Sequence, residues 1–236
     1  LMHGDREVST KDLARTLAPF DPAGCIVFNW CEELPGCPHS EVQVVRELEK
    51  RGFTYTGSPA EVLSLSWDKE AVKTRLAAHG VPTPRWRLFD AGSPLDWQGF
   101  PAIVKPACEH SSAGMDTNAV VLEPAALQRR AAHIQGAFRQ PALVEDFIDG
   151  REFHVTLWGN GHIRMLPPAE MDFSAFADIR DRLCTFDAKF TPGSRHYEAI
   201  ELRRFNRTRC TTTRSTSRRP HVLSPAHTYF LSRTPF

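Results

Sequence analysis

The sequence predicts an α+β protein of more than one domain, and three observations carry that expectation. Short β-rich segments at 102–105, 119–122, 142–146 and 153–157 surround one long helical stretch, which suits a mostly antiparallel sheet with a helix on one face. Upstream, an amphipathic stretch at 41–52 lies between two short strand-like runs and reads as a separate α/β unit. Beyond residue 203 every hydrophobic period is lost. At 236 residues the chain is long enough for two compact domains.

Taken in order, the elements follow from local chemistry. Lys11 to Leu17 is helical, and Cys25 to Asn29 (CIVFN) reads as a strand followed by a loop over Trp30 to His39 that contains Gly36 and Pro38. Glu41 to Gly52 carries an apolar stripe of Val42, Val44, Val45 and Leu48, with Gly52 as its stop, and Phe53 to Thr56 is a short strand. Asp68 to Gly80 has an aspartate cap, an alanine-rich interior and a terminal glycine, hence a helix. Val81 to Pro84 (VPTP) is a stiff extended connector. A strand then runs from Ala102 to Lys105, where Pro106 stops it; a second covers Ala119 to Leu122 and a helix Pro124 to Gln135. Two further strands flank Asp149-Gly150, and the Gly159-Asn160-Gly161 turn closes a hairpin with His162 to Leu166.

Two segments carry chemistry. In PAIVKPACEHSSAG (101–114) Lys105 stands at the end of a buried strand, and Ser111, Ser112, Ala113 and Gly114 are small enough for backbone amides to approach an anion. Polyphosphate is the natural guest, although a strand-end lysine on its own is equally an ordinary solvated surface charge. In ALVEDFIDGREFHVTLWGNG (142–161) two strands meet at a hinge, and Glu145 and Glu152 supply the acceptors that a purine nucleoside in an apolar slot requires. Lys69, in the first turn of its helix, opposes the helix dipole unless an anion compensates; a solvated charge is the plainer alternative.

The pair VKPACEHSSAG and LVEDFIDGREF, with FTYTGSPAEVLSLSWDKEAVKTRLAAHGVPTP before it and MLPPAEMDF after it, resembles D-alanine--D-alanine ligases and their ATP-grasp relatives from roughly Val27 to Ile200. The resemblance implies an incomplete ATP-grasp fold: a partial N-terminal domain and connector over 1–84, a central antiparallel-sheet subdomain over 85–166, the start of a C-terminal subdomain over 167–202, and a foreign-looking, unordered basic tail over 203–236. It further implies a cytoplasmic, ATP-dependent carboxylate-amine ligase of cell-wall (peptidoglycan) synthesis that joins D-alanine or a similar amino acid through an acyl phosphate, in a family that includes homodimers. By the same resemblance Lys69 touches the α-phosphate and Lys105 the α- and β-phosphates. Glu145 and the backbone of Asp146 and Ile148 form the adenine hinge, Glu152 holds the ribose, Ser111 and Ser112 belong to the loop over the polyphosphate, and Lys189 in FDAKF reaches the γ-phosphate. The family loop reads EGSSVG; here His110 replaces its first glycine, either as plain loop variation or as the mark of another amino-acid substrate. The loop FNWCEELPG keeps Asn29 and Glu32 of the family's FNLCEG, with their role open.

The family also uses ATP with magnesium ions (Mg2+) held by an aspartate and a Glu-x-Asn pair, and no matching segment follows Ile200. No metal ligand is therefore assigned in this chain, and chemistry is expected to fail where nucleotide binding survives weakly. The first residue is Leu1, and the opening strand and glycine-rich turn of such ligases are not seen, so truncation at the N-terminus is expected. From 201 onward eight arginines face the single acid Glu201, although the whole chain is only +1. Such a tail reads as out-of-frame translation beginning near Arg203; the alternatives to a ligase are an inactive nucleotide-binding remnant, and an ATP-binding module whose tail is a basic arm for nucleic acid. The six cysteines include no CxxC pair and point to a reducing compartment, and no apolar run reaches the length of a membrane span.

Overall fold

The computed structural model describes residues 10–159, 161–204 and 230–235. In chain order these form α1 (Thr10–Leu17), β1 (Ile26–Val27), α2 (Glu41–Lys50), β2 (Thr54–Tyr55), α3 (Ala60–Trp67), α4 (Lys69–Ala78), β3 (Trp86–Phe89), β4 (Ala102–Pro106), β5 (Val120–Val121), α5 (Pro124–Phe138), β6 (Ala142–Asp146), β7 (Gly150–Val155), β8 (Leu157–Trp158), β9 (Arg164–Met165), β10 (Ala169–Asp172), α6 (Phe186–Phe190), α7 (Arg195–Ala199), β11 (Glu201–Arg204) and β12 (Phe230–Pro235). The chain divides into two units, the first ending at Ser66 and the second beginning at Trp67.

In the first unit β1 and β2 pair in parallel, Ile26 opposite Thr54 and Val27 opposite Tyr55. The valines and Leu48 of α2 turn inward as their spacing predicts, and Val44 and Leu48 join Leu13, Leu17, Val27, Leu34 and Phe53 in one core. Ser40, fully buried before α2, accepts the Leu34 N–H through its hydroxyl at 2.6 Å and so ties the preceding loop to the helix start. The α3 helix carries no clear polar face, so its periodicity gave the sequence reading no handle on it.

The second unit holds two four-stranded antiparallel sheets, β3-β6-β4-β5 and β11-β10-β7-β12. Pairing of β4 with β6 sets Ile103 opposite Glu145, Val104 opposite Val144 and Lys105 opposite Leu143. With a two-residue period, Ala102, Val104, Ala142 and Val144 face α5 and pack with its Leu127, Ala131 and Ile134. Ile103, Lys105, Leu143 and Glu145 occupy the other face, where Ile103 packs with Val120, Phe147 and Leu183. The pairing continues through Pro106, one residue past the expected stop. Proline is tolerated there because β5 pairs only with Ala102 and Ile103, so the ladder on that side has already ended.

Between β6 and β7 the chain leaves one sheet for the other, so the block expected at 85–166 contributes strands to both sheets. The α5 helix runs three residues beyond its expected end, through Gly136, and is capped by Arg139 in the left-handed region at φ 53°. The expected hairpin forms, with Leu157 opposite Met165. Arg203 and Arg204 end β11, and 230–235 pair with β7. The rest of the basic tail, expected to be unordered, lies outside the described residues, as does Cys210.

Two glycines separate what space and backbone each demand. A Cβ on Gly114, at φ +69°, would meet the Phe138 ring at 2.7 Å and Pro106 at 2.9 Å, whereas one on Gly136, inside α5, meets nothing within 4 Å. Gly114→Ala is expected to destabilise by about 2 kcal/mol or more through strain and overpacking. Gly136→Ala should stabilise by about 0.5–1 kcal/mol by removing helix-interior glycine. Urea unfolding of the two variants checks both, and equal effects would contradict the packing described.

Candidate functional site

Glu145 is the centre of the site. It projects from β6 on the sheet face opposite α5, is 4% exposed, and meets two lysines: Oε1 lies 2.5 Å from Lys73 Nζ, and Oε2 pairs with Lys105 Nζ. Lys105 sits one strand away, diagonal to Glu145 in the β4–β6 ladder, which is why the two reach each other. Lys73 comes from the middle of α4 and donates also to Thr83 Oγ1 at 2.5 Å and, at 3.5 Å, to the Pro84 carbonyl in the connector. It is 7% exposed, and burial brings its pKa down to about 8.

Lys69 begins α4, whose N-cap Asp68 accepts the Ala71 N–H at 2.9 Å. Its ammonium donates to the Glu109 carbonyl and its backbone N–H to the Ala107 carbonyl at 3.2 Å, binding the helix start to the segment after β4. Burial lowers the Lys69 pKa to about 8, against the opposing pull of Cys108 and Glu109. On the other side of this segment Gln140 accepts the Cys108 N–H at 2.5 Å and donates to Glu109 Oε1 at 2.8 Å.

The small loop is a pair of tight turns. Ser111 and Ser112 both adopt left-handed backbone, at φ 53° and 62°, inside a turn closed by Ala113 N–H on the His110 carbonyl at 2.9 Å; a second turn closes Met115 N–H on the Ser112 carbonyl. The left-handed positions thus fall on the serines, and His110 instead stacks its ring on Trp67 with centroids 3.9 Å apart. Arg130, buried on α5, grips the loop end through both Asp116 carboxylate oxygens at 3.1 Å and through the Gly114 carbonyl. Ser112 donates to the Cys184 carbonyl at 3.0 Å and Phe186 N–H to the Met115 carbonyl at 3.0 Å, so the loop is strapped to the start of α6. Lys189 stands exposed on that short helix.

The hinge residues are fixed from two directions. Asp146 takes a fork from Arg85 (3.2 and 2.9 Å), whose guanidinium lies over the Trp97 ring, and a side chain on Gly99 would collide with both partners. The Asp146 N–H donates to the Arg85 carbonyl, and the Phe147 N–H to the Pro101 carbonyl, each at 3.0 Å. Asp149 is held differently, by one Arg182 nitrogen, Nη1, that reaches both its oxygens at 3.1 and 2.9 Å, while Nε and Nη2 donate to the Phe176 and Ala177 carbonyls. Ile148 lies half-buried between the two aspartates. Glu152 follows on β7, 4% exposed, with His154 Nε2 3.5 Å from its Oε1.

Of the residues expected from sequence, the structure joins Lys105 to Glu145, Lys69 to the segment before the serines, and Ser112 to the approach of α6. Glu152 lies beyond the hinge in the second sheet. Lys73, Arg130 and Arg182 were missed. Lys73 had a usable signal, since it follows Lys69 by one helical turn and shares its face. Among the described residues no three His, Cys, Asp or Glu side chains gather in a way that could hold a metal ion. No helix among them is long and apolar enough to cross a membrane, and the five described cysteines carry free thiols. A groove of about 580 Å³ beside β5 and the start of α5, lined by Asn118, Leu122, Arg129 and His133, contains none of the expected nucleotide residues.

Comparison with known proteins relates this arrangement to one family. Residues 90–203 match the family model described as D-ala D-ala ligase C-terminus. "Uncharacterized protein y4sG" of Sinorhizobium fredii is 37% identical over 194 residues, which cover 80% of this chain and 55% of that protein. The D-alanine--D-alanine ligase of Ralstonia pickettii is 34% identical over 156 residues, 61% of this chain and 44% of the enzyme. The chain spans about half the length of these curated relatives. The solved D-alanine--D-alanine ligase of Bacillus anthracis complexed with ATP shares the fold at TM-score 0.56 and 22% identity, over 72% of this chain and 54% of that one. Two antiparallel sheets joined by a hinge, with a lysine and an acid facing away from the covering helix, are therefore those of an ATP-grasp fold, and over residues 90–203 this chain is similar to the C-terminal part of D-alanine--D-alanine ligases.

Proposed function

We propose that the chain binds ATP against the face of β4 and β6 that turns away from α5, and that it is the nucleotide-binding part of an ATP-dependent ligase joining the carboxylate of one D-alanine-like amino acid to the amine of another. The observation that carries this reading is the buried Glu145 set between Lys73 and Lys105. Two cations for one carboxylate leave a local surplus of positive charge, which an anionic ligand offsets better than water does. Lys69 adds a third cation from the same helix as Lys73. The Ralstonia pickettii relative is a D-alanine--D-alanine ligase by name, and the likeness of fold extends to a structure complexed with ATP.

In this reading Lys105 and Lys69 meet the phosphates, and the serine loop, pinned by Arg130 and Cys184, supplies hydroxyl and amide donors. The hinge from Asp146 to Ile148 borders the base, and Glu152 accepts from the ribose. Lys189 approaches the terminal phosphate from α6. Phosphoryl transfer to a carboxylate turns a poor leaving oxygen into a good one, after which an amine displaces phosphate. These side chains contribute positioning and charge stabilisation rather than covalent chemistry. Free thiols and use of ATP favour a reducing cytoplasm as the site of action.

Lys105→Ala should weaken binding of a fluorescent ATP analogue by roughly tenfold or more through loss of a charge-assisted contact; unchanged affinity would remove Lys105 from the phosphate site. The pH dependence has a definite sign. Lys69 and Lys73 have pKa values of about 8, so both are largely cationic below that pH and neutral above it. ATP affinity should therefore fall between pH 7 and pH 9, with a smaller fall in Lys69→Met. A flat profile in the unsubstituted protein, measured by calorimetry, would contradict the role given to these lysines.

A further inference from the structure

We infer that Lys73 is a positioning residue: it holds the charge of Glu145 so that Lys105 can leave that carboxylate for an anionic ligand. The inference rests on the ATP reading above and adds a division of labour between two lysines that meet the same acid.

The geometry distinguishes their duties. Lys73 has a side chain only 9% exposed and is fixed by three acceptors at once, Glu145 Oε1, Thr83 Oγ1 and the Pro84 carbonyl. Lys105, with a side chain 24% exposed, approaches the second carboxylate oxygen from the strand next door. A side chain bound on three sides is costly to move, whereas the more exposed partner can exchange one anion for another. If Lys105 alone faced Glu145, its departure would strand a buried carboxylate, a cost that would be charged against ligand binding. With Lys73 in place the carboxylate stays compensated in both states. The same placement has a second effect: two ammonium groups on one carboxylate repel, which weakens the hold of Glu145 on Lys105.

The test reads Lys105 directly, through its rate of trace acetylation by acetic anhydride followed by mass spectrometry, since only the neutral amine reacts. Removing Lys73 removes a neighbouring cation and leaves Lys105 as the principal counter-ion, so Lys73→Met should slow acetylation of Lys105 by about fivefold. Lys73→Met combined with Glu145→Gln removes the charge pair together and should restore the rate. Lys73→Arg, which keeps the charge and serves if the methionine variant does not fold, should leave the rate unchanged or raised. Unchanged Lys105 reactivity in Lys73→Met, no recovery in the double variant, or a slowed rate in Lys73→Arg would each overturn the inference. ATP and adenosine affinities measured on the same proteins separate it from the reading on which it rests. Lys73→Met should weaken ATP several-fold and leave adenosine, which lacks phosphates, unchanged; equal losses for both would mean a merely structural role and overturn it. A protein that binds no ATP while its Lys105 reactivity shifts as stated would defeat the nucleotide reading and support the shared carboxylate.

Discussion

The compensation of one buried carboxylate governs this molecule. Glu145 lies in a strand whose other residues are almost wholly apolar, and a carboxylate in that position without counter-ions would cost several kcal/mol and drive itself to the neutral form. Satisfying it fixes three elements relative to one another: β4 through Lys105, α4 through Lys73, and the 81–84 connector through the Thr83 and Pro84 contacts of Lys73. The hydrophobic packing of α5 on the opposite face makes the sheet, but it leaves the position of α4 open. The ion pairs, together with the bonds of Lys69 to the Ala107 and Glu109 carbonyls, supply that constraint.

A second constraint acts on the hinge. Asp146 and Asp149 bracket the passage between sheets, and each is held by an arginine distant in sequence: Arg85 grips Asp146 in a two-point fork, and one Arg182 nitrogen reaches both Asp149 oxygens while the rest of that guanidinium holds two backbone carbonyls. A forked guanidinium fixes direction as well as distance, which a lysine cannot do. The carboxylates of the hinge thus serve its geometry, and in the proposed site the polar contacts to a ligand are left to Glu145 and Glu152.

Much of this was legible in the sequence because it depends on period and composition. The alternation through 102–105 and 142–146 announced strands, the Asp68 cap and Gly80 bounded α4, and Lys105 with Glu145 stood out as charges at the ends of apolar runs. What was not legible depended on register and on partners far along the chain. That Lys105 meets Glu145 follows only once Lys105 is known to oppose Leu143, and that Lys73 is buried follows only once α4 is known to lie on that acid. The one-turn spacing from Lys69 put Lys73 on a shared face, but spacing carries no sign that the face is buried. The left-handed backbone at Ser111 and Ser112 was hidden for a related reason, since serine carries no mark of positive φ, whereas the histidine in a glycine's place drew attention to a position whose ring simply stacks on Trp67.

The alternation along β6 has one more consequence. Val144 and Glu145 are neighbours, yet the first belongs to the core under α5 and the second to the charged face. Slipping the strand by a single position would drive the acid into oil and lift the valine toward the lysines, spoiling both faces in one stroke. Errors in assembling the scaffold and errors in assembling the chemistry are thus the same error. A chain that folds into this sheet at all has already brought Glu145 to its lysines, and selection for stability alone would preserve that arrangement.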